Sequence, residues 1–297
     1  MDATRLYPWA VRIVWVVLPL TAGPAYGSAL HPYSEPVRFT AVVLLWAGWA
    51  AALVGTLVPH PIGLTALRLT APAAVVTAAA AAITNRPSAL ASAAAVASTL
   101  LAFAVALAPA TGLMYVNGSA YPNERRYLLR APGPLLFGPL ELAWAITIGA
   151  PVAAALLLAA RAWLAGAIVL LAGVPVAVIL ARSLHGLSRR WLVFVPAGLV
   201  LHDPLALIEP VLFTRRSIAT MRPARPDPGN LPGDALDLGE RAPGLALELL
   251  LLEPVLLKLV RPGKRGGESA TTARQRVVPT RPGQVLREAE RRRVPVG

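Results

Sequence analysis

The chain changes character once, near residue 183. The first 182 residues carry long apolar runs with ten arginines, no lysine and four acids. The last 115 hold the other eighteen of the 28 Lys+Arg residues. A soluble core has no room for several runs of about 20 apolar residues. A hydrocarbon layer does not tolerate the second composition, because each charge at its centre is costly. The sequence therefore divides into an α-helical transmembrane domain over residues 1–182 and a basic cytoplasmic domain over 183–297. A mean hydropathy of +0.60 with only 14% charged residues agrees with a multi-pass protein of the plasma membrane.

Six runs have the length of a span: Trp9–Leu30, Arg38–Val58, Ile62–Ile83, Pro87–Ala108, Leu135–Ala160 and Trp163–Ala181. The first holds Arg12, Pro19 and Pro24. It also reads as a cleavable signal peptide, with Arg5 before an apolar Ile13–Leu20 and a small-residue site at Ala25-Tyr26-Gly27. With six spans and both termini inside, Arg5, Arg125, Arg126, Arg130, Arg182, Arg189 and Arg190 lie on the cytoplasmic side and Arg38, Arg86 and Arg161 outside. That is the asymmetry the positive-inside rule demands. Alanine runs at Ala78–Ala82 and Ala89–Ala97 predict close helix packing in lipid, and leave room for a dimer face.

After the last span the period changes. Trp191–Val195, a Pro196-Ala197-Gly198 turn and Leu199–Asp203 predict a hairpin. Further strand-like pieces are Val211–Thr214, Ser217–Met221, Ala235–Leu238, Leu245–Leu251, Val255–Val260 and Arg276–Val278, with loops at Pro223–Gly233 and Arg261–Thr272. A final helix starts at Pro282 with Thr280 as its cap. It carries Val285, Leu286 and Ala289 on one face and ends in Arg291–Arg293. The order of the hairpin Trp191–Asp203 and the helix Pro282–Arg293 resembles the PH-like domains of bacterial membrane proteins. That resemblance implies a small bent β-barrel plugged by a C-terminal helix. The chain as a whole resembles polytopic membrane proteins of uncharacterised role that are common in actinobacteria. Neither resemblance implies a particular ligand, because fold does not fix function.

The chemistry-bearing residues are few. There is no cysteine, and the four histidines His31, His60, His185 and His202 are scattered, so no cofactor and no metal site are expected. Gly263-Lys264-Arg265-Gly266 lacks the spacing of a phosphate-binding loop, and no nucleophile motif occurs. Arg68 and Glu141, each seven residues beyond a proline (Pro61, Pro134), are expected at equal depth, about 10 Å in, where they would form an intramembrane polar pair. The loop between the fourth and fifth spans holds Tyr121, Arg125, Arg126 and Arg130. With Arg189, Arg190, Arg291, Arg292 and Arg293 these are the expected contacts for anionic headgroups or a membrane-protein partner. The net charge of +13 comes without a nucleic-acid-binding motif, so nucleic acid is not an expected partner. The leading expectation is a non-enzymatic scaffold or accessory subunit, with cell-envelope biogenesis as its setting. The alternative is a transporter or lipid-handling carrier that uses Arg68 and Glu141.

Overall fold

The computed structural model describes residues 3–84, 87–224, 235–261, 263–264 and 266–297. Arg86 and the 225–233 part of the expected Pro223–Gly233 loop lie outside the described residues. The chain forms two compact units, each discontinuous. One takes residues 1–118 and 142–184, the other 119–141 and 185–297. The sequence division at 182/183 therefore misses one segment, because the loop between the fourth and fifth spans folds with the tail.

The first unit is helical: α1 (Ala3–Val16), α2 (Leu18–Leu30), α3 (Glu35–Leu57), α4 (Pro61–Ile83), α5 (Ala89–Leu107), α6 (Pro109–Asn117), α7 (Pro139–Ala159), α8 (Trp163–Ile168) and α9 (Val174–Leu187). One π-helical turn, Val169–Gly173, joins the last two. Six stretches, Leu6–Leu30, Glu35–Leu57, Pro61–Ile83, Ala89–Leu107, Pro139–Ala159 and Trp163–Leu187, are long and apolar enough to cross a membrane, as the sequence predicts. Their ends differ where local chemistry intervenes. Helix α4 starts at Pro61, a residue with no N–H to leave unpaired, and the His60 ring accepts the Ile62 N–H. Helix α7 starts at Pro139 rather than Leu135. Gly133–Leu136 is a 3-10 turn, and Gly138 takes φ +110°, a conformation that interrupts a right-handed helix and that glycine tolerates.

Small residues let these helices approach closely. Ala22, Ala25 and Ala29 of α2 pack with Ala78 and Ala81 of α4 and Ala95 of α5. Gly55 and Gly63 let α3 meet α4: a Cβ on Gly63 would lie 2.9 Å from the Gly55 carbonyl oxygen. Polar bonds then fix the register. The Trp15 and Trp49 indoles each donate to the other's backbone carbonyl, at 2.9 and 3.0 Å. Tyr26 meets Thr77 at 3.0 Å, and Trp144 donates to the Leu69 carbonyl at 2.9 Å. Arg12 donates to the Thr56 and Leu57 carbonyls at the end of α3, where a helix lacks partners and carries partial negative charge.

The second unit is β-rich: β1 (Arg125–Leu128), β2 (Trp191–Val195), β3 (Gly198–His202), β4 (Val211–Thr214), β5 (Ile218–Ala224), β6 (Ala235–Asp237), β7 (Ala246–Leu259), β8 (Glu268–Val277) and the closing helix α10 (Pro282–Arg291). The expected hairpin forms with Trp191 opposite His202 and Val195 opposite Gly198. Gly198 is required at that turn. Its φ is +156°, and a Cβ there would lie 2.1 Å from the Phe213 carbonyl oxygen.

The expected barrel is not what forms. There are two four-stranded sheets, β1-β2-β3-β4 and β5-β7-β8-β6, and among the described residues no ladder closes one onto the other. The pieces Leu245–Leu251 and Val255–Val260 are one strand, β7, which bulges between Leu250 and Val255 around Glu253-Pro254. The expected loop Arg261–Thr272 is strand from Glu268, because Leu259 to Leu256 pair with Glu268 to Thr271. Leu192, Phe194, Leu199, Leu201 and Phe213 of one sheet face Met221, Leu247, Leu249, Gln275 and Val277 of the other. Helix α10 buries Val285 and Ala289 completely. The N-cap position is Arg281, not Thr280, and no side chain caps the helix; the Thr280 Oγ1 is buried without a hydrogen-bond partner.

Candidate functional site: the basic end of the β unit

Strand β1 comes from the loop between two spans. It pairs antiparallel with β2, Arg125 opposite Phe194 and Leu128 opposite Trp191. The segment is then held on its other side, where Arg130 N–H donates to the Val278 carbonyl at 2.8 Å and Gly133 N–H to the Glu240 carbonyl at 3.1 Å. Tyr127 and Leu128 are buried. Arg-Arg-Tyr-Leu is two polar then two apolar residues and does not alternate, so sequence alone gives it no strand period, although Pro122-Asn123 before it and Pro132-Gly133-Pro134 after it are turn signals.

Register decides which of the expected arginines meet. Arg125 begins β1 beside the end of β2. The β2–β3 turn lies at that same end, and so do Arg215 and Arg216, which follow Thr214, the partner of Gly198. The C-terminal arginines join them, since Arg292 donates to the Asn123 carbonyl at 2.9 Å. Arg189 and Arg190 lie at the opposite end of β2, about 16 Å away along five residues of strand. The nine expected contact residues are therefore not one patch.

Several of them are also consumed internally. Arg190 was expected to touch headgroups, but it is 1% exposed. Its guanidinium meets Asp203 with two bonds, at 2.8 and 2.7 Å, and donates further to the Arg130 and Leu238 carbonyls. Asp203 also accepts from the Leu205 and Ala206 N–H groups. A buried charge with every guanidinium nitrogen bonded to a partner joins β2, the β3 end and the inserted loop at one point. Arg126 pairs with Glu124 at 3.0 Å and lies 5.2 Å from the Trp191 ring centre. The Arg130 Nε is buried without a hydrogen-bond partner. Arg291 and Arg292 share the nearly buried Glu288, at 2.7 and 2.6 Å. Burial pushes that carboxyl up, but the hydrogen bonds from the two arginines outweigh it and hold its pKa below the ordinary value.

What stays available is Tyr121, 73% exposed, with exposed Arg125, Arg189, Arg215, Arg216 and Arg293. None of these five arginines has a carboxylate partner among the described residues. Arg215 and Arg216 are not among the contacts expected from the sequence. Their signal was an Arg-Arg pair between two strand-like pieces, which is a turn position.

The membrane pair also changes. Glu141 sits in the first turn of α7 and accepts the Gly138 N–H at 2.9 Å, so it serves the helix start. Arg68 lies two turns into α4, and its Nε is buried without a hydrogen-bond partner. The expected depth of Glu141 is counted from Pro134, whereas α7 begins at Pro139.

Among the described residues no three His, Asp or Glu side chains gather as a metal would require. No family model, no curated protein and no solved structure matches the chain.

Proposed function

We propose that the protein is a non-enzymatic membrane scaffold or accessory subunit whose basic β unit is a PH-like docking domain for an anionic lipid surface. The observation that carries this reading is the gathering of Arg125, Arg215, Arg216 and Arg293 at one end of β1–β4, none with an acidic partner among the described residues. Each basic residue near an anionic leaflet contributes about 1 kcal/mol, and the effect decays within a Debye length. Element order, short strands followed by a terminal helix, supports the PH-like part, in an open form. Both termini are cytoplasmic in this reading. Strand β1 can pair with β2 only if the inner loop and the tail share a compartment, and two spans separate them, which returns the chain to the same side. The excess of arginine names that side as the cytoplasm.

The test uses the full chain in nanodiscs. Hydrogen exchange of residues 123–126, 215–217 and 291–294 should slow when phosphatidylglycerol replaces phosphatidylcholine at low salt, and recover at high salt. Equal exchange in both lipids refutes docking. A second reading, an anion carrier, draws on the unpartnered Nε of Arg68 inside a span. Saturable anion uptake into proteoliposomes, lost in Arg68→Gln, would favour it over the scaffold.

A further inference from the structure

We propose that the crevice between the β2–β3 turn and the end of α10 is a binding site for a phosphoryl group. Its lining is Val195, Pro196, Gly198, Arg215, Arg292 and Val294, four apolar or small residues beside two arginines. Arg215 is the reason to single it out. Its Nη2 donates to the Pro196 carbonyl at 2.7 Å and its Nη1 to the Arg292 carbonyl at 3.5 Å. Those bonds aim the guanidinium without neutralising it, because no carboxylate pairs with it among the described residues. A planar cation held in place loses little side-chain freedom on meeting an anion, and its fork matches two phosphate oxygens. Arg292 also lines the crevice, and its guanidinium is held nearby by Glu288 and the Asn123 carbonyl. The exposed Arg216 and Arg293 stand at either edge in sequence. The apolar wall of Val195, Pro196 and Val294 suits the organic part of a phosphoester better than a bare inorganic ion.

A lipid headgroup and a soluble phosphoester share this chemistry. The site deepens the docking reading and rests on it for the basic end of the sheet, yet fails or stands separately. The full chain in phosphatidylcholine nanodiscs is titrated with glycerol 3-phosphate, and hydrogen exchange is read at 195–198, 215–216 and 293–294. In a second arm phosphatidic acid is built into the nanodisc and no solute is added. Protection in the first arm identifies a soluble ligand as sufficient. Protection in the second alone assigns the site to a headgroup. Arg215→Gln should weaken the protecting interaction about tenfold or more, as loss of a charge-assisted fork does. Arg287→Gln removes the same charge from an exposed position of α10 outside the crevice and should change it about twofold at most. Unchanged exchange in β7 and β8 shows that both variants are folded. No protection in either arm, or equal losses in the two variants, overturns the site. Lipid-dependent protection that survives Arg215→Gln leaves docking standing without the crevice. Protection by glycerol 3-phosphate with none from anionic nanodiscs does the reverse.

Discussion

The two units of this protein are held together by opposite devices. In the helical unit the closest contacts are made by alanine and glycine, as at Ala25, Ala78 and Ala95 and at Gly55 against Gly63. Indole and hydroxyl groups bond to backbone oxygens across helices. In the β unit large side chains, Phe194, Leu199, Leu201, Phe213, Met221 and Leu247, fill the space between two sheets. Lipid is as apolar as leucine, so burying leucine between helices gains little there, and packing and polar bonds decide. Water around the β unit makes burial itself the driving force. Charge follows the same division. Arg12 uses carbonyls at a helix end, whereas Arg190 uses a carboxylate inside the sheet stack.

The sharpest break in that comparison is Asp203→Ala. It leaves Arg190 charged and buried, which costs about 3–5 kcal/mol. Hydrogen exchange in nanodiscs should show protection falling across β1–β3 while α2, α4 and α5 keep theirs. Loss in the helices as well would mean that the units do not fold separately.

The next largest effects come from opposite substitutions. Phe213→Ala should destabilise the β unit by about 3–5 kcal/mol through lost burial and a cavity. In the helical unit the harmful direction is small to large, and Ala25→Leu should cost about 1–3 kcal/mol by forcing α2 from α4 and α5. Exchange or thermal inactivation in nanodiscs checks both. An Ala25→Leu that leaves the helices unchanged would refute the small-residue account.

Gln275 tests the dry core of the β unit from the other side. It is fully buried, and neither amide atom has a hydrogen-bond partner. Gln275→Leu should stabilise the unit by about 1–3 kcal/mol by removing an unsatisfied polar group. A destabilised variant would show that the amide is satisfied, for instance by a buried water.

The smallest effect concerns pH. Glu288 has its pKa lowered in the fold, so its contribution is complete above the ordinary value of 4.5 and is lost as pH falls through the folded value. Exchange of Val285–Arg293 should therefore speed up in acid below that value. Glu288→Gln should remove this part of the pH dependence, and a profile unchanged by the substitution would assign the acid loss to other groups.

The six long apolar helices were legible because a run of about 20 apolar residues has one stable solution in lipid, a helix. The hairpin at Trp191–His202 was legible from its turn and from the apolar, β-prone run before it. So were the burial of Val285 and Ala289 and the arginines that follow them. Strand β8 was not. Its sequence Glu268–Val277 is polar, and pairing with β7 makes it a strand.

The inner loop is where sequence and tertiary structure part most clearly. Composition placed Tyr121, Arg125, Arg126 and Arg130 outside the hydrocarbon, because arginine is too costly within it. It held no information that Arg125–Leu128 would add a strand to a sheet that starts some 60 residues later. Strand pairing joins segments by register, not by proximity along the chain. The same pairing took Arg190 inside to Asp203 and moved Arg215 and Arg216 to the end that Arg125 occupies. The sequence by itself determined how many helices are apolar enough to span a membrane and where the charge lies along the chain. Only the tertiary structure decided which charges are buried, which are paired and which remain to meet a ligand, because those depend on neighbours that local pattern does not name.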